Sequence, residues 1–523
     1  MGIDQGRSSA FLVGVGIFLS RIAGLVRQKV FAHYFGLSLA ADAFTAAFRI
    51  PNLLQNLFGE GVLSASFIPE YSGLLARENK EDATKLAGAV IGALALVAAI
   101  IVLMGVLLAP YLVGLIAPGF TGERRDLTVQ LTQILFPGAG LLVFSAWCLG
   151  ILNSHRKFFI SYTAPVIWNI AMIAALVGFG AGRPLKELAV IIAWASVIGS
   201  ALQFAVQLPM VFRLVPGVRP LLDFKSLSSR VVFRNFIPAF ISRGVVQISA
   251  FIDAFIASWL PAGAVAALAN SQTLYTLPVS LFGMAVSAAE LPVMSSAVGT
   301  PEEVASYLRG RLDGGLERIA FFIVPSAVAF LALGDVLAAI LFQSGKFTRQ
   351  DSLWVWQILA GSTVGLLAST WGRLYSSTFY ALRDTRTPLK FAVVRVILTS
   401  VLGLIAALYL PKALGLDPKL GVAGLTATAG IAGWVEFYLL RRSMAQRIGP
   451  THVSGIYTLK LWFSAAVAAG AAWGVKLTLT GAHGLVFSML ILVAFGMVYL
   501  ALTTALKIKE AEVMTRRILR RAR

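Results

Sequence analysis

The residues best suited to binding chemistry lie between Ser20 and Tyr71, inside a strongly apolar stretch. This stretch carries Arg21, Arg27, Lys29, Asp42, Arg49, Gln55, Asn56 and Glu60, among other polar residues. In its second half, polar residues recur at steps of three or four, namely at Asp42, Thr45, Arg49, Asn52, Asn56 and Glu60. This spacing predicts one face of a helix. Because lipid does not solvate charge, such a face must contact protein, water or a ligand.

The composition of the chain predicts its class. Of 523 residues, 58% are hydrophobic and only 13% are charged, whereas soluble domains carry about 25% charged residues. Apolar stretches recur with the length needed to cross a bilayer and predict about fourteen transmembrane helices. We therefore expect an all-α polytopic membrane protein.

Few residues are available for a metal or a disulfide. Cys148 is the single cysteine, and the four histidines are scattered along the sequence. No internal disulfide and no zinc motif can form from this set. We predict no metal and no cofactor.

The net charge of +20 would suggest nucleic-acid binding in a soluble protein. In a membrane protein, Lys and Arg retained in cytoplasmic loops explain it, and no nucleic-acid partner is expected. With the N-terminus in the cytoplasm, the loops on that side hold most of the basic residues, which predicts that both termini are cytoplasmic. The basic tail at 511–523 could also bind anionic lipid, although fixing the topology is the simpler interpretation.

Several basic residues fall inside the predicted spans, where each costs roughly 3 kcal/mol at the bilayer centre. They are Arg21, Arg27, Lys29, Arg49, Arg243, Arg373 and Arg395. Few acidic residues lie in the spans to pair with them. The pattern predicts a large water-filled cavity, an anionic ligand, or both.

Two halves of the sequence resemble each other. The segment around Arg21 matches that around Arg243, and the segment from Phe58 matches that from Phe282. Further along, Leu152 matches Leu382, each just before a loop. This repeat places Arg243 opposite Arg21, so symmetry would direct both arginines toward one cavity.

The repeat also predicts the domain organisation. Two six-helix lobes, 1–215 and 216–445, would have the same orientation and be related by a pseudo-twofold axis along the membrane normal. Two extra helices at 446–510 lie outside the repeat. They either pack on the outside or form a groove for a lipid tail.

The motifs SRIAGLVRQ, ADAF, RIPNLLQNLFGEG and SFIPEY within residues 20–71 resemble those of the MviN/MurJ family. These are the lipid II flippases of peptidoglycan synthesis, in the multidrug/oligosaccharidyl-lipid/polysaccharide exporter superfamily. The resemblance implies two lobes around a V-shaped cationic cavity, with the last two helices forming the groove for the polyprenyl tail. It implies a transporter, not an enzyme, that flips lipid II across the bacterial cytoplasmic membrane by alternating access.

The family residues map onto this chain in part. Arg21 and Arg27 match the two arginines of the first helix, while Asp42 and Glu60 match acidic residues of the second. Gln55 stands where the family has a substrate-contacting arginine. Thr273 also stands where the family has an arginine, and Gln28 stands where it often has an acidic residue. These departures leave open the alternative that the protein exports another polyprenyl-linked saccharide, or drugs.

Arg49 and Arg243 are candidate replacements for the missing arginines, although Arg49 could instead form an ion pair or an anchor at the cytoplasmic side. The substrate-binding set implied is Arg21, Arg27, Asp42, Arg49, Asn52, Gln55, Glu60 and Arg243. Asp253 is an acidic residue that could couple transport to an ion, but no mid-span aspartate in the eleventh or twelfth predicted helix completes a sodium site. The implied partners are lipid II and membrane lipids, with a monomeric protein that could contact the cell-wall synthesis machinery.

Overall fold

The computed structural model describes residues 2–58, 60–223, 230–232, 234, 236, 251–478 and 484–522. These residues are almost all helical, and the described part contains an isolated bridge between Ser344 and Phe347 but no strand. The predicted all-α fold is confirmed.

The helices are short near the chain reversals and long elsewhere. In chain order they are α1 (Gly2–Phe35), α2 (Leu39–Phe58), α3 (Glu60–Ala76), α4 (Lys80–Leu107), α5 (Ala109–Ile116), α6 (Gly122–Ser154), α7 (Phe158–Phe179), α8 (Leu185–Leu214), α9 (helical at 251–257), α10 (Ala264–Pro278), α11 (Ala285–Ser295), α12 (Pro301–Phe342), α13 (Arg349–Thr363), α14 (Leu366–Ala381), α15 (Arg386–Leu404), α16 (Leu410–Ala413), α17 (Gly421–Ile448), α18 (Gly455–Thr478), α19 (Leu485–Ala505) and α20 (Lys509–Ala522).

Ten spans among the described residues are long and apolar enough to cross a membrane. The pair α13 and α14, bent by 47°, makes eleven if it counts as one span. A polytopic membrane protein is therefore confirmed, whereas the total of about fourteen spans stays a prediction. Neither α1 nor α2 is among the ten, and the charged face of α2 lowers its mean hydropathy.

One predicted span contains an irregular turn, whereas residue 59 of the span predicted at 39–72 lies outside the described residues. The span predicted at 263–297 contains a π-helical turn, Val279–Met284, between α10 and α11. This turn includes Phe282, the residue that the repeat pairs with Phe58. π-helical turns inside α-helices frequently occur at functional sites.

A pair of turns corrects the repeat alignment farther along the chain. After α6, Arg156 has φ +58° and the Lys157 N–H donates to Leu152 O at 2.8 Å. After α14, Arg383 has φ +59° and the Asp384 N–H donates to Phe379 O at 2.9 Å. Both are Schellman turns. Compared at these turns, Leu152 corresponds to Phe379, so its match with Leu382 is wrong.

The chain packs as two compact units. Unit 1 comprises Met1–Ala266 and Ser344–Phe347, and unit 2 comprises Ala267–Gln343 and Thr348–Arg523. The chain passes from one unit to the other within α10. The boundary predicted from the repeat, at 215–216, stays a prediction. Division into compact units does not test it, because a compact unit need not coincide with one copy of a sequence repeat.

The core of unit 1 holds α2 in place. The buried face of α2 carries small residues and one aromatic ring, namely Ala40, Ala43, Phe44 and Ala47. Small residues let helices approach closely in a membrane, where van der Waals packing drives association. Leu131 of α6 belongs to the same core. This packing leaves the polar residues of α2 on its other sides.

In unit 2 the long helix α12 supports α18 and α19. The Tyr499 hydroxyl donates to Phe321 O at 2.7 Å, and Trp473 Nε1 donates to Ala332 O at 2.8 Å. Lys476 pairs with Asp335 at 2.7 Å. The last two predicted spans thus pack directly on unit 2.

The π-turn at Val279–Met284 provides a prediction about close packing. A Cβ at Gly283 would lie 2.8 Å from Thr370 Cγ2, and Thr370 is fully buried. We expect Gly283→Ala to destabilise the protein by about 1–3 kcal/mol, the range typical of overpacking. Gly310→Ala in α12 meets nothing within 4 Å and should stabilise by up to about 1 kcal/mol. Thermal unfolding in detergent measures both; equal effects would contradict the packing argument.

Candidate functional site

The polar face of α2 is helical from Asp42 to Asn56, as predicted. Glu60 is also helical, at the start of α3, but residue 59 lies outside the described residues, so the continuation of this face to Glu60 stays a prediction. Thr45, Arg49 and Asn52 are half-buried. The side chains of Gln55 and Glu60, and the whole of Arg243, lie outside the described residues, so their predicted roles stay predictions.

Arg27 of α1 is held by α7. Its Nε donates to Asn169 Oδ1 at 2.9 Å, and its guanidinium lies 4.9 Å from the centroid of the Trp168 ring. Both partners are fixed in turn, because Asn169 donates to Pro165 O at 3.0 Å and Trp168 donates to Ser196 O at 3.2 Å. The guanidinium is therefore oriented before any ligand arrives.

The side of the Arg27 guanidinium that carries its two terminal nitrogens could bind an anion. Within the described part of the chain, its two terminal nitrogens form no hydrogen bond. These nitrogens, with their paired N–H donors, match the oxygen spacing of a phosphate or carboxylate. Arg21, two helical turns earlier on the same helix, is exposed.

Arg49 has an acidic neighbour. The carboxylate of Asp253, in α9, acts electrostatically on the Arg49 guanidinium. This interaction supports the ion pair that the sequence left open for Arg49, and gives Asp253 a protein partner. An anion that approaches Arg49 would also meet the negative charge of Asp253.

Among the charged residues of the predicted set whose side chains the structure describes, Asp42 is the most buried. Its side chain is fully buried and pairs with Arg124 of α6 at 2.5 Å. The backbone N–H groups of Gly263 and Ala266 donate to its two oxygens at 2.6 and 2.8 Å. A carboxylate at a helix N-terminus satisfies N–H groups that have no partner within the helix. Asp42 thus joins α2, α6 and the first turn of α10, and its predicted substrate contact stays a prediction.

Arg124 is the residue that sequence reasoning missed. It is buried in the first turn of α6, and its guanidinium lies 3.7 Å from the centroid of the Phe120 ring. Buried carboxylates need a cationic or hydrogen-bonding partner. If Asp42 is expected to be buried, it must have such a partner. The sequence does not indicate which of the distant basic residues provides it.

Asn52 lines a small cavity between α2, α6 and α8. The cavity has a volume of about 10 Å³ and is also lined by Phe48, Ser196 and Ser200. That volume suits about one water molecule.

Unit 2 contains other ionic groups near its helix ends. Buried Glu290 of α11 pairs with Arg311 at 2.7 Å and Arg318 at 3.0 Å, both on α12. Arg395 of α15 pairs with Glu436 of α17 at 3.1 Å. This basic residue inside a predicted span thus has an acidic partner. Within the described residues, no group of three or more His, Cys, Asp or Glu side chains could hold a metal ion.

One acidic group lies in a loop outside the spans. Hydrogen bonds from the Thr387 hydroxyl and N–H lower the pKa of the Asp384 carboxyl, which also pairs with Arg447 at 2.5 Å. These contacts fix the turn after α14.

Comparison with known proteins identifies relatives over most of the chain. The family model described as lipid II flippase MurJ matches residues 31–495. A protein named lipid II flippase MurJ from Burkholderia cenocepacia is 33% identical over 436 residues, 82% of each chain. A probable lipid II flippase MurJ from Vibrio cholerae is 28% identical over 513 residues, 91% of this chain and 93% of that protein.

Solved structures share the fold. A lipid II flippase MurJ in an inward closed conformation has a TM-score of 0.76 at 25% identity and covers 95% of this chain and 98% of its own. An inward-facing multidrug resistance MATE family transporter has a TM-score of 0.64 at 18% identity, covering 81% of this chain and 95% of its own. The second likeness concerns the fold alone.

Proposed function

This chain belongs to the MurJ family of lipid II flippases, and from that premise we propose that it moves lipid II from the cytoplasmic to the outer face of the bacterial cytoplasmic membrane. The family model and the relatives that match most of the chain carry the name lipid II flippase MurJ, which supports this assignment. The chain is a multi-pass membrane protein, as a flippase must be. Both termini lie in the cytoplasm in this proposal, as the distribution of basic residues suggests.

The observation that carries the mechanism is the orientation of Arg27. A diphosphate bears negative charge on paired oxygens, and a guanidinium fixed by Asn169 and Trp168 can bind it without first losing side-chain freedom. Arg21, on the same helix, adds a second cation. In this proposal the polar head group stays in a wet, cationic cavity while the polyprenyl tail remains in lipid.

The Arg49 and Asp253 pair would take part by exchange. While no substrate is bound, Asp253 stabilises the charge on Arg49. An arriving diphosphate would replace this carboxylate as the partner of Arg49, and Asp253 would then be left to take up a proton or a cation. In this proposal, substrate binding itself frees Asp253 to couple transport to an ion, and no separate ion site is needed.

The rest of the assignment follows the repeat. Arg243 would contribute a cation from the second lobe, and Asn52, Gln55 and Glu60 would contact the polar head group. The two lobes would alternate access to the two membrane faces around the bound diphosphate. Helices α18 and α19 would form the groove for the tail; Leu459, Phe463 and Val467 of α18 remain exposed, as such a groove needs.

Complementation tests the proposal. The full chain is expressed in a bacterium depleted of its own flippase, and lipid II accessible on the outer face of the membrane is measured. We expect growth and outer-face lipid II to be restored. Normal insertion of the protein without any gain in outer-face lipid II would contradict the proposal and favour export of a different polyprenyl-linked saccharide or of drugs.

A further inference from the structure

The last helix, α20, is fixed at an angle set by a defined turn. After α19 ends, Lys507 adopts φ +57°, its N–H donates to Thr504 O at 3.0 Å, and the Ile508 N–H donates to Thr503 O at 3.0 Å. This is a Schellman turn, and Ile508 supplies the buried apolar side chain that accompanies it. The direction of α20 therefore follows from backbone hydrogen bonds, unlike that of a tail on a free linker.

Side-chain contacts hold the first half of α20 against unit 2. Ala511 is fully buried, and the hydroxyl of Tyr457 donates to Glu510 at 3.0 Å. The hydroxyls of Thr504 and Thr515 lie 3.2 Å apart. Glu510 is thus engaged by α18, and Glu512 pairs with Arg516 at 3.7 Å. The net charge of α20 is set by its basic residues, which outnumber these two carboxylates.

The position of α20 relative to the membrane follows from the length of α19. The apolar span Val486–Ala505 has 20 residues, about the number needed to cross the hydrocarbon core. Since α20 begins at Lys509, directly after the turn, it lies where the polar head groups begin.

The outer surface of α20 combines exposed apolar side chains with positive charge. Val513 is 45% exposed and Met514 is 41% exposed, while the Arg516 side chain is 79% exposed. On a helical projection, Lys509 and Arg516 fall opposite the buried Ala511. Apolar residues interleaved with Lys and Arg at a head-group boundary are typical of helices that lie in the membrane surface.

We propose that α20 binds anionic phospholipid at the membrane surface, with Val513 and Met514 inserted at the head-group level and the arginines on the lipid phosphates. Charge complementarity selects this occupant: the final residues from Lys507 carry Lys507, Lys509, Arg516, Arg517, Arg520, Arg521 and Arg523, against Glu510 and Glu512. Because α20 is bonded to α18 through Tyr457, lipid binding would be transmitted to the helices of the proposed tail groove. The inference is independent of which lipid-linked substrate the protein carries.

A fluorescence experiment tests this on the full chain. Met514→Cys is labelled with an environment-sensitive fluorophore; Cys148 is fully buried and should stay unlabelled in the folded protein, which the unsubstituted chain verifies. The protein is reconstituted in vesicles of phosphatidylcholine alone or mixed with phosphatidylglycerol. Both leaflets have the same composition, so the result does not depend on orientation. We expect a blue-shifted emission and several-fold weaker quenching by iodide in the anionic vesicles, with the difference lost at high salt.

Two charge variants separate binding by α20 from a general charge effect. One removes four charges from α20, as R516Q/R517Q/R520Q/R521Q, and should lose the response to anionic lipid while unfolding at the same temperature. The other removes four charges from exposed loop and helix-end positions elsewhere, as R125Q/R183Q/K346Q/R349Q, and should keep the response. Emission that is the same in both vesicle types, or an unchanged response in the α20 variant, would overturn the proposal.

Discussion

Replacing Arg27 with alanine is expected to abolish rescue of a flippase-depleted bacterium while the protein still inserts in the membrane. Hydrogen bonds to charged groups contribute about 1.5–3 kcal/mol each, so losing the oriented guanidinium should weaken diphosphate binding by about 10- to 100-fold. The fold should tolerate the change, because among the described residues Arg27 forms one hydrogen bond, to Asn169, and stacks on Trp168. Outer-face lipid II and the amount of inserted protein are the two measurements.

The neighbours of Arg27 supply the controls. Arg27→Lys keeps the charge but loses the paired donors and the stacking geometry, so it should rescue only in part. Asn169→Ala keeps the guanidinium but removes the bond that orients it, and we expect a smaller loss than for Arg27→Ala. Full rescue by Arg27→Ala would show that the diphosphate is held elsewhere.

The polar face of α2 could be predicted from sequence because its period is local. Asp42, Arg49 and Asn52 fall at helical spacing, and the structure confirms the helix. The same reasoning could not place the partners of these residues. Asp253 and Arg124 lie far from α2 in sequence, and the helical period carries no information about which distant charge reaches a given side chain.

The hydropathy pattern also did not predict where helices bend or change type inside the spans. Hydropathy alone joins α13 and α14 into one span, although the structure bends them by 47°. It likewise passes over the π-turn at Val279–Met284, because an interruption in backbone hydrogen bonding need not alter apolar character.

Replacing Asp42 with asparagine is expected to destabilise the protein by about 3–5 kcal/mol, the cost typical of leaving one member of a buried ion pair without its partner. The carboxylate accepts from Arg124 and from the N–H groups of Gly263 and Ala266. An amide has one acceptor oxygen where the carboxylate has two, so it cannot satisfy all these donors. Thermal unfolding of the purified protein, with no substrate present, measures the effect.

A surface ion pair on the same helix provides the matched comparison. Glu123 adjoins Arg124 in sequence and pairs with Lys186 at 2.7 Å, but both side chains are more than half exposed. Exposed pairs contribute about 0–1 kcal/mol, so Glu123→Gln should leave the unfolding temperature nearly unchanged. If Asp42→Asn also unfolds normally and yet fails to rescue growth, Asp42 acts on substrate, as the family resemblance implied. A large loss of stability would instead assign it to joining α2 and α6 with the first turn of α10, the helix in which the chain leaves unit 1.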